Sequence, residues 1–287
     1  MIRRRRRIRV LAAAVCLATA AAAVPLTNTS PATQPTPAHA GPAQPAPATS
    51  AEPRVIVGGR EIVVAGTPNA LTDRAGAHLP AAIATVERFW GPDWPRQIVV
   101  QAAPSDTAFA ELTRIGPDAE HIAAAAVAEW VDPSHGIAVG QRIVLAPGAS
   151  ALTDDDFQLV LTHELFHYAT RADTALDAPR WVQEGVADYV ARPAPTVSTT
   201  PTAPDRLPED ADFAATEPAE LSVGYDRAWL FARFIAQRYG SDRLRELYRR
   251  AAGPGHPDTA TALTETLGAD EDQLLADWRA HASGQPG

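Results

Sequence analysis

The chain has 287 residues, with 25 basic and 34 acidic side chains, one cysteine and one methionine. Every basic residue is an arginine; six lie in the first nine positions (Arg3 to Arg7 and Arg9) and the first acid is Glu52, so the other 19 arginines face all 34 acids, a balance of −15. Such an acidic body repels polyanions, which excludes a nucleic-acid binder that works by neutralising phosphates, and the lone Cys16 excludes a disulfide framework or a Cys-ligated metal.

The cationic start followed by the apolar run from Val10 to Val24 has the layout of a signal peptide over residues 1–24. The run is alanine-rich and shorter than the roughly 20 residues of a bilayer span, with an uncleaved signal anchor as the alternative. Cys16 follows the branched Val15, and it reads as filler of the apolar run rather than as a lipid-attachment site. The expected location is secreted or extracellular, with membrane contact only through this segment if it is retained. Residues 25–53 hold eight prolines among Ala, Thr, Ser and Gln, a composition that buries too little apolar surface to order itself, so a disordered tether is expected.

From Arg54 the pattern becomes structured. Two β-branched runs around Gly58-Gly59 predict a hairpin. Leu79, Ile83, Val86 and Phe89–Trp90 recur at helical spacing over 73–90, and Gln97 to Gln101 reads as a strand. Ser105 opens a helix reaching about Ile115; 121–130 and 140–146 read as two further strands. The rest is helical, at about 154–171, 178–191, 222–239, 241–252, 257–267 and 270–282, interrupted by a second Pro-rich stretch over 192–218. That stretch is long for an ordered loop and joins two helices, so it is a candidate lid over a cleft or a disordered insert. The expected class is α+β: a mixed α/β lobe over 54–150, then the mainly helical lobe over 151–283.

The chemistry concentrates in Thr162-His163-Glu164-Leu165-Phe166-His167. Histidines at i and i+4 stand one turn apart on one helix face, so both rings can reach one ion, with Glu164 beside them to deprotonate a metal-bound water. An ordinary amphipathic helix accounts for Leu159, Val160, Leu165 and Phe166, but not for two histidines flanking a glutamate. A catalytic zinc needs a third protein ligand. The segment Trp181-Val-Gln-Glu184-Gly185-Val-Ala187-Asp188-Tyr189 offers Glu184 for that role, with Asp188 one turn on to accept a hydrogen bond from a ligand histidine. Gly185 and Ala187 keep that backbone close to a neighbouring helix.

His-Glu-x-x-His followed by Trp-x-x-Glu-Gly-x-Ala-x-Tyr resembles the gluzincin branch of the zinc metallopeptidases, the peptidase-MA-like group. The resemblance covers mainly 153–192 and implies a zincin-like fold, one zinc ion per chain held by His163, His167 and Glu184, and Glu164 as general base. It also implies that Asp188 supports the first histidine, and that the strand 121–130 is a cleft edge that pairs with extended substrate. The Gly-x-Met-Glu-Asn segment of the aminopeptidases is absent, so that activity is not carried over. Relatives supply an oxyanion donor from the helical lobe; Tyr225 is the candidate here, with His256 and His121 as alternatives. The expected function is hydrolysis of peptide bonds in a peptide or protein substrate. A zinc-dependent amidase acting on cell-wall material and a non-catalytic zinc-containing surface domain are the alternatives.

Overall fold

The computed structural model describes residues 53–115, 122–192, 204–215 and 217–283. The leader, nearly all of the tether and His121 lie outside the described residues.

Strands β1 (Arg54–Val57) and β2 (Arg60–Val64) pair antiparallel around Gly58 and Gly59, whose φ angles of 57° and 76° suit a tight two-residue hairpin turn. Helix α1 (Ala70–Trp90) follows. The Asn69 side chain accepts hydrogen bonds from the Leu71 and Thr72 amides, and the Thr72 hydroxyl accepts from the Asn69 amide, closing the first turn. Its buried stripe is Leu79, Ile83, Val86, Phe89 and Trp90. The helix is the crossover that brings β3 (Gln97–Ala102) parallel to β2. After α2 (Asp106–Thr113), capped by Ser105, come β4 (Ala124–Val127), β5 (Trp130–Asp132), β6 (Ile137–Val139) and β7 (Arg142–Leu145). The main sheet has the order β1-β2-β3-β7-β4, with β7 parallel to β3 and antiparallel to β4, which ends the sheet; β5 and β6 form a separate ribbon.

The single strand expected over 121–130 is therefore two. After Val127 the chain leaves the sheet, the Glu129 amide donates to the Val139 carbonyl, and the ribbon begins. Strand β6 is short because Gly136 and Gly140, both at φ 65°, break the chain on either side of Ile-Ala-Val.

Helix α3 (Asp154–Thr170) starts with the Thr153 side chain bonded to the Asp156 amide and acids in its first turn, where the helix dipole favours them. From Val160 to Thr170 every residue is buried, because α1, β4, β7 and the next helix pack around it. That helix is α4 (Arg180–Ala191), followed by α5 (Pro218–Tyr239), α6 (Ser241–Ala252), α7 (Thr259–Leu267) and α8 (Glu271–Ala282). Helix α5 begins four residues before the expected start because Pro218 occupies its first turn, where a missing N–H costs nothing. The fold is thus mixed α/β, a five-stranded sheet with a helical C-terminal part, and one buried apolar cluster runs from Ile62 on the sheet to Trp278 on α8. Among the described residues no helix is long and apolar enough to cross a membrane.

The described part of the Pro-rich stretch is fastened down. The Arg279 guanidinium donates to the carbonyls of Pro204 and Asp205, Arg206 pairs with Asp212, and Phe213 is buried against Tyr225. Residues 204–213 therefore form a strap across α4, α5 and α8, and a freely swinging lid does not describe this portion. Residues 193–203 lie outside the described residues.

Candidate metal centre

Helix periodicity sets His163 and His167 on one face of α3, and α4 crosses that face to bring in Glu184. The two Nε2 atoms are 3.0 Å apart; Glu184 Oε2 lies 3.3 Å from His163 Nε2 and 3.7 Å from His167 Nε2. At zinc–ligand bonds near 2.0–2.1 Å, a tetrahedral site has ligand–ligand edges of about 3.4 Å. The three observed separations straddle that value. All three side chains are buried, and neither oxygen of Glu184 makes a hydrogen bond of good geometry among the described residues. A buried carboxylate whose near neighbours are two imidazole nitrogens is the donor set of a borderline-soft divalent cation, so the residues present fit zinc.

The electrostatics agree with that fit. Burial by itself would lower His163, but the hydrogen bond to Asp188 and the nearby Glu184 carboxylate outweigh this and raise it to about 9. Burial would likewise raise Glu184, yet the two histidines hold it down to about 2.

The supporting contacts come from α4, α5 and the strap. His163 Nδ1 is 2.9 Å from Asp188 Oδ1, an arrangement that fixes the proton on Nδ1 and leaves Nε2 as the metal-facing atom. The other oxygen of Asp188 pairs with Arg192 at 2.6 Å, and Arg192 also reaches Asp226 on α5 at 2.8 Å. Gly185 lets α4 press against Ala228 of α5. Pro179, the residue before α4, offers no side-chain cap; the Trp181 amide donates to Asp210 on the strap instead.

Glu164 is also buried. Its Oε2 accepts a 2.7 Å hydrogen bond from the Ala126 amide on β4, while Oε1 makes none among the described residues. Burial is the main cause of its raised pKa, and the neighbouring histidines and the Ala126 amide only partly oppose it. Tyr225, in the second turn of α5, is fully buried under Phe213. Burial, followed by the charge of Glu184, pushes its phenol well above the usual value, with Arg180 acting the other way. His256 sits in the α6–α7 connection, with Nδ1 bonded to the Pro257 carbonyl and Nε2 3.4 Å from Asp177. Three contributors were not singled out from sequence: Ala126, Arg171 and Asp210. Arg171 alone carried a signal, because it lies one further turn along the face of His163 and His167.

No model of a known protein family matches the chain, and no curated protein matches it. Among solved structures, the chain is similar to a point mutant of a two-domain M1 zinc metallopeptidase bound to L-arginine, at 15% identity and a TM-score of 0.42. The match covers 79% of this chain, which spans half the length of that structure.

Proposed function

We propose that this protein is a zinc-dependent peptidase of the gluzincin type, exported and then either released or tethered by its N-terminal segment. The observation that carries the proposal is the convergence of His163, His167 and the buried carboxylate of Glu184, with Glu164 beside them on the same helix. Zinc held there would supply Lewis-acid chemistry, polarising a carbonyl and making water easier to deprotonate. Glu164 would do the proton work, with Ala126 fixing one oxygen and Oε1 left to take a proton from water and deliver it to the departing amine. Asp188 orients His163. The Tyr225 hydroxyl, kept protonated by burial, is the proposed donor to the oxygen that gains charge in the transition state. The domain plan that goes with this reading is a leader over 1–24, a tether over 25–53, an α/β lobe over 54–150 and the ligand-bearing helical lobe over 151–283.

Metal analysis of the purified chain combined with cleavage of a peptide library and of cell-wall fragments tests the proposal. One zinc per chain and peptide hydrolysis are expected, both lost in His163→Ala, whereas Glu164→Gln keeps the metal and loses hydrolysis. Cleavage of cell-wall amides alone would move the assignment to an amidase. Zinc without turnover on either substrate would make the site a structural one.

A further inference from the structure

Glu164 and Arg171 are two turns apart along α3; Arg171 continues the helical backbone (φ −51°, ψ −44°), so the two side chains leave the same face. Both end on one residue of the neighbouring strand. The Ala126 amide donates to Glu164 Oε2 at 2.7 Å, and the Ala126 carbonyl accepts from Arg171 Nη2 at 3.1 Å. In a strand the N–H and C=O of one residue point to the same side. Ala126 sits in register with Ile143 of β7 on its inner side, so its own polar groups are turned outward to α3. The sheet ends at β4, so both groups would otherwise be left on an open edge. Arg171 is itself buried, 8% exposed, at a desolvation cost that an apolar side chain there would not incur. Beyond it, residues 171–173 pack against the β5–β6 ribbon that continues β4, which braces the strand from its other end.

We propose that Arg171 is a positioning residue for the general base. It grips the carbonyl of Ala126 and so fixes the β4 backbone at the height where the amide of the same residue orients the Glu164 carboxylate. Glu164 is thereby held at one oxygen by a backbone donor whose own position is set from two turns further along the helix that carries it. The inference rests on the peptidase reading for its kinetic consequence, but not for the clamp itself.

The test uses the full chain loaded with zinc, as wild type, Arg171→Met, Arg171→Lys, Glu164→Gln and the Arg171→Met/Glu164→Gln double variant. Amide hydrogen exchange at Ala126 and zinc affinity are measured for each, and kcat and KM for the three that keep Glu164. Arg171→Met is expected to speed exchange at Ala126 about tenfold, with the Ala125 and Val144 ladder amides unchanged. It should lower kcat by about ten- to a hundredfold at unchanged KM and zinc affinity, the range seen when a supporting hydrogen bond is removed from a site. Arg171→Lys, which restores charge without the planar fork, should fall between in both measurements. In the Glu164→Gln background, where hydrolysis is lost, the pair is read by exchange alone: adding Arg171→Met should again speed exchange at Ala126, because Arg171 acts on the strand backbone and not through the carboxylate. Wild-type exchange at Ala126 in Arg171→Met overturns the proposal. So does a fall in kcat that tracks loss of zinc. Should Arg171→Met not fold, Arg171→Lys decides alone: wild-type exchange and kcat together would sink the idea. Should the wild type cleave no peptide, the peptidase reading fails while the exchange measurement still decides the clamp.

Discussion

Gly185 on α4 lies so close to Ala228 on α5 that a Cβ placed on it would come within 2.7 Å of the Ala228 carbonyl oxygen. The contact is with backbone, which cannot swing aside as a side-chain tip would, so any larger residue must push the helices apart. Glu184 is the adjacent residue and offers one of the three atoms that could hold an ion, so the displacement is transmitted directly to the candidate metal centre. Gly185→Val is expected to destabilise the protein by about 1–3 kcal/mol and to weaken zinc binding; Gly185→Ala should act in the same direction but less strongly. Urea melts paired with zinc competition titrations check this. Unchanged zinc affinity in a destabilised Gly185→Val protein would show that the helix contact does not set the ligand position.

Asp188 holds His163 from behind, at 2.9 Å, and is itself fully buried. Removing it frees the imidazole to rotate and leaves Arg192 without its buried partner. Asp188→Ala is expected to weaken zinc by about 10–100-fold. A competition titration against a chromogenic chelator measures this; affinity equal to wild type would mean that α3 and α4 alone fix the ring.

The contrast between these residues and Arg171 shows what a sequence can disclose. Helix periodicity makes visible which side chains share a face, so His163 with His167, and Glu184 with Asp188, stand out as pairs one turn apart. It does not say which faces meet. Ala126 reaches Glu164 across 38 positions, Arg171 reaches Ala126 across 45, and Asp210 reaches the start of α4 across 29. Nothing in the local pattern of Ala123 to Ala126 or of Asp210 marks those contacts. The β5–β6 ribbon was hidden for another reason: strands of three residues carry too few side chains for an alternation to show. Helix α3 is buried on nearly every side, so its amphipathic signal is weak although its motif is plain.

Asp210 caps the ligand helix from outside it. Its carboxylate accepts from the Trp181 amide, in the first turn of α4, where the helix would otherwise start without a side-chain partner. Asp210→Ala is expected to cost about 0.5–2 kcal/mol, the range for losing an N-terminal cap, and Asp210→Asn less than that, since the amide oxygen still accepts. The two variants compared by thermal melting decide it. Equal loss from both would indicate that the charge near the helix start matters more than the hydrogen bond.

Asp212 gives the strap a dependence on pH. Its side chain is 7% exposed, and burial alone would raise its pKa. Hydrogen bonds from Arg206 and from the Glu209 amide, with the charges of Arg206 and Arg227, more than offset this and hold it below the usual carboxylate value. A carboxyl whose pKa is lower in the folded state than in the unfolded one binds its proton more weakly when folded. Its contribution is therefore complete above the unfolded value, about 3.9, and is lost as pH falls through the depressed folded value. Acid should thus loosen 204–213, and with it the cover that Phe213 places over Tyr225. Asp212→Asn removes the charged bonds at every pH, at an expected cost of about 1–3 kcal/mol near neutrality. Amide exchange across 204–213, followed from pH 6 to pH 3 in wild type and in Asp212→Asn, separates the two cases. Wild-type protection should converge on that of the variant as pH drops below 4, and a constant gap down to pH 3 would assign the strap's stability to packing of Phe213 instead of to this carboxylate.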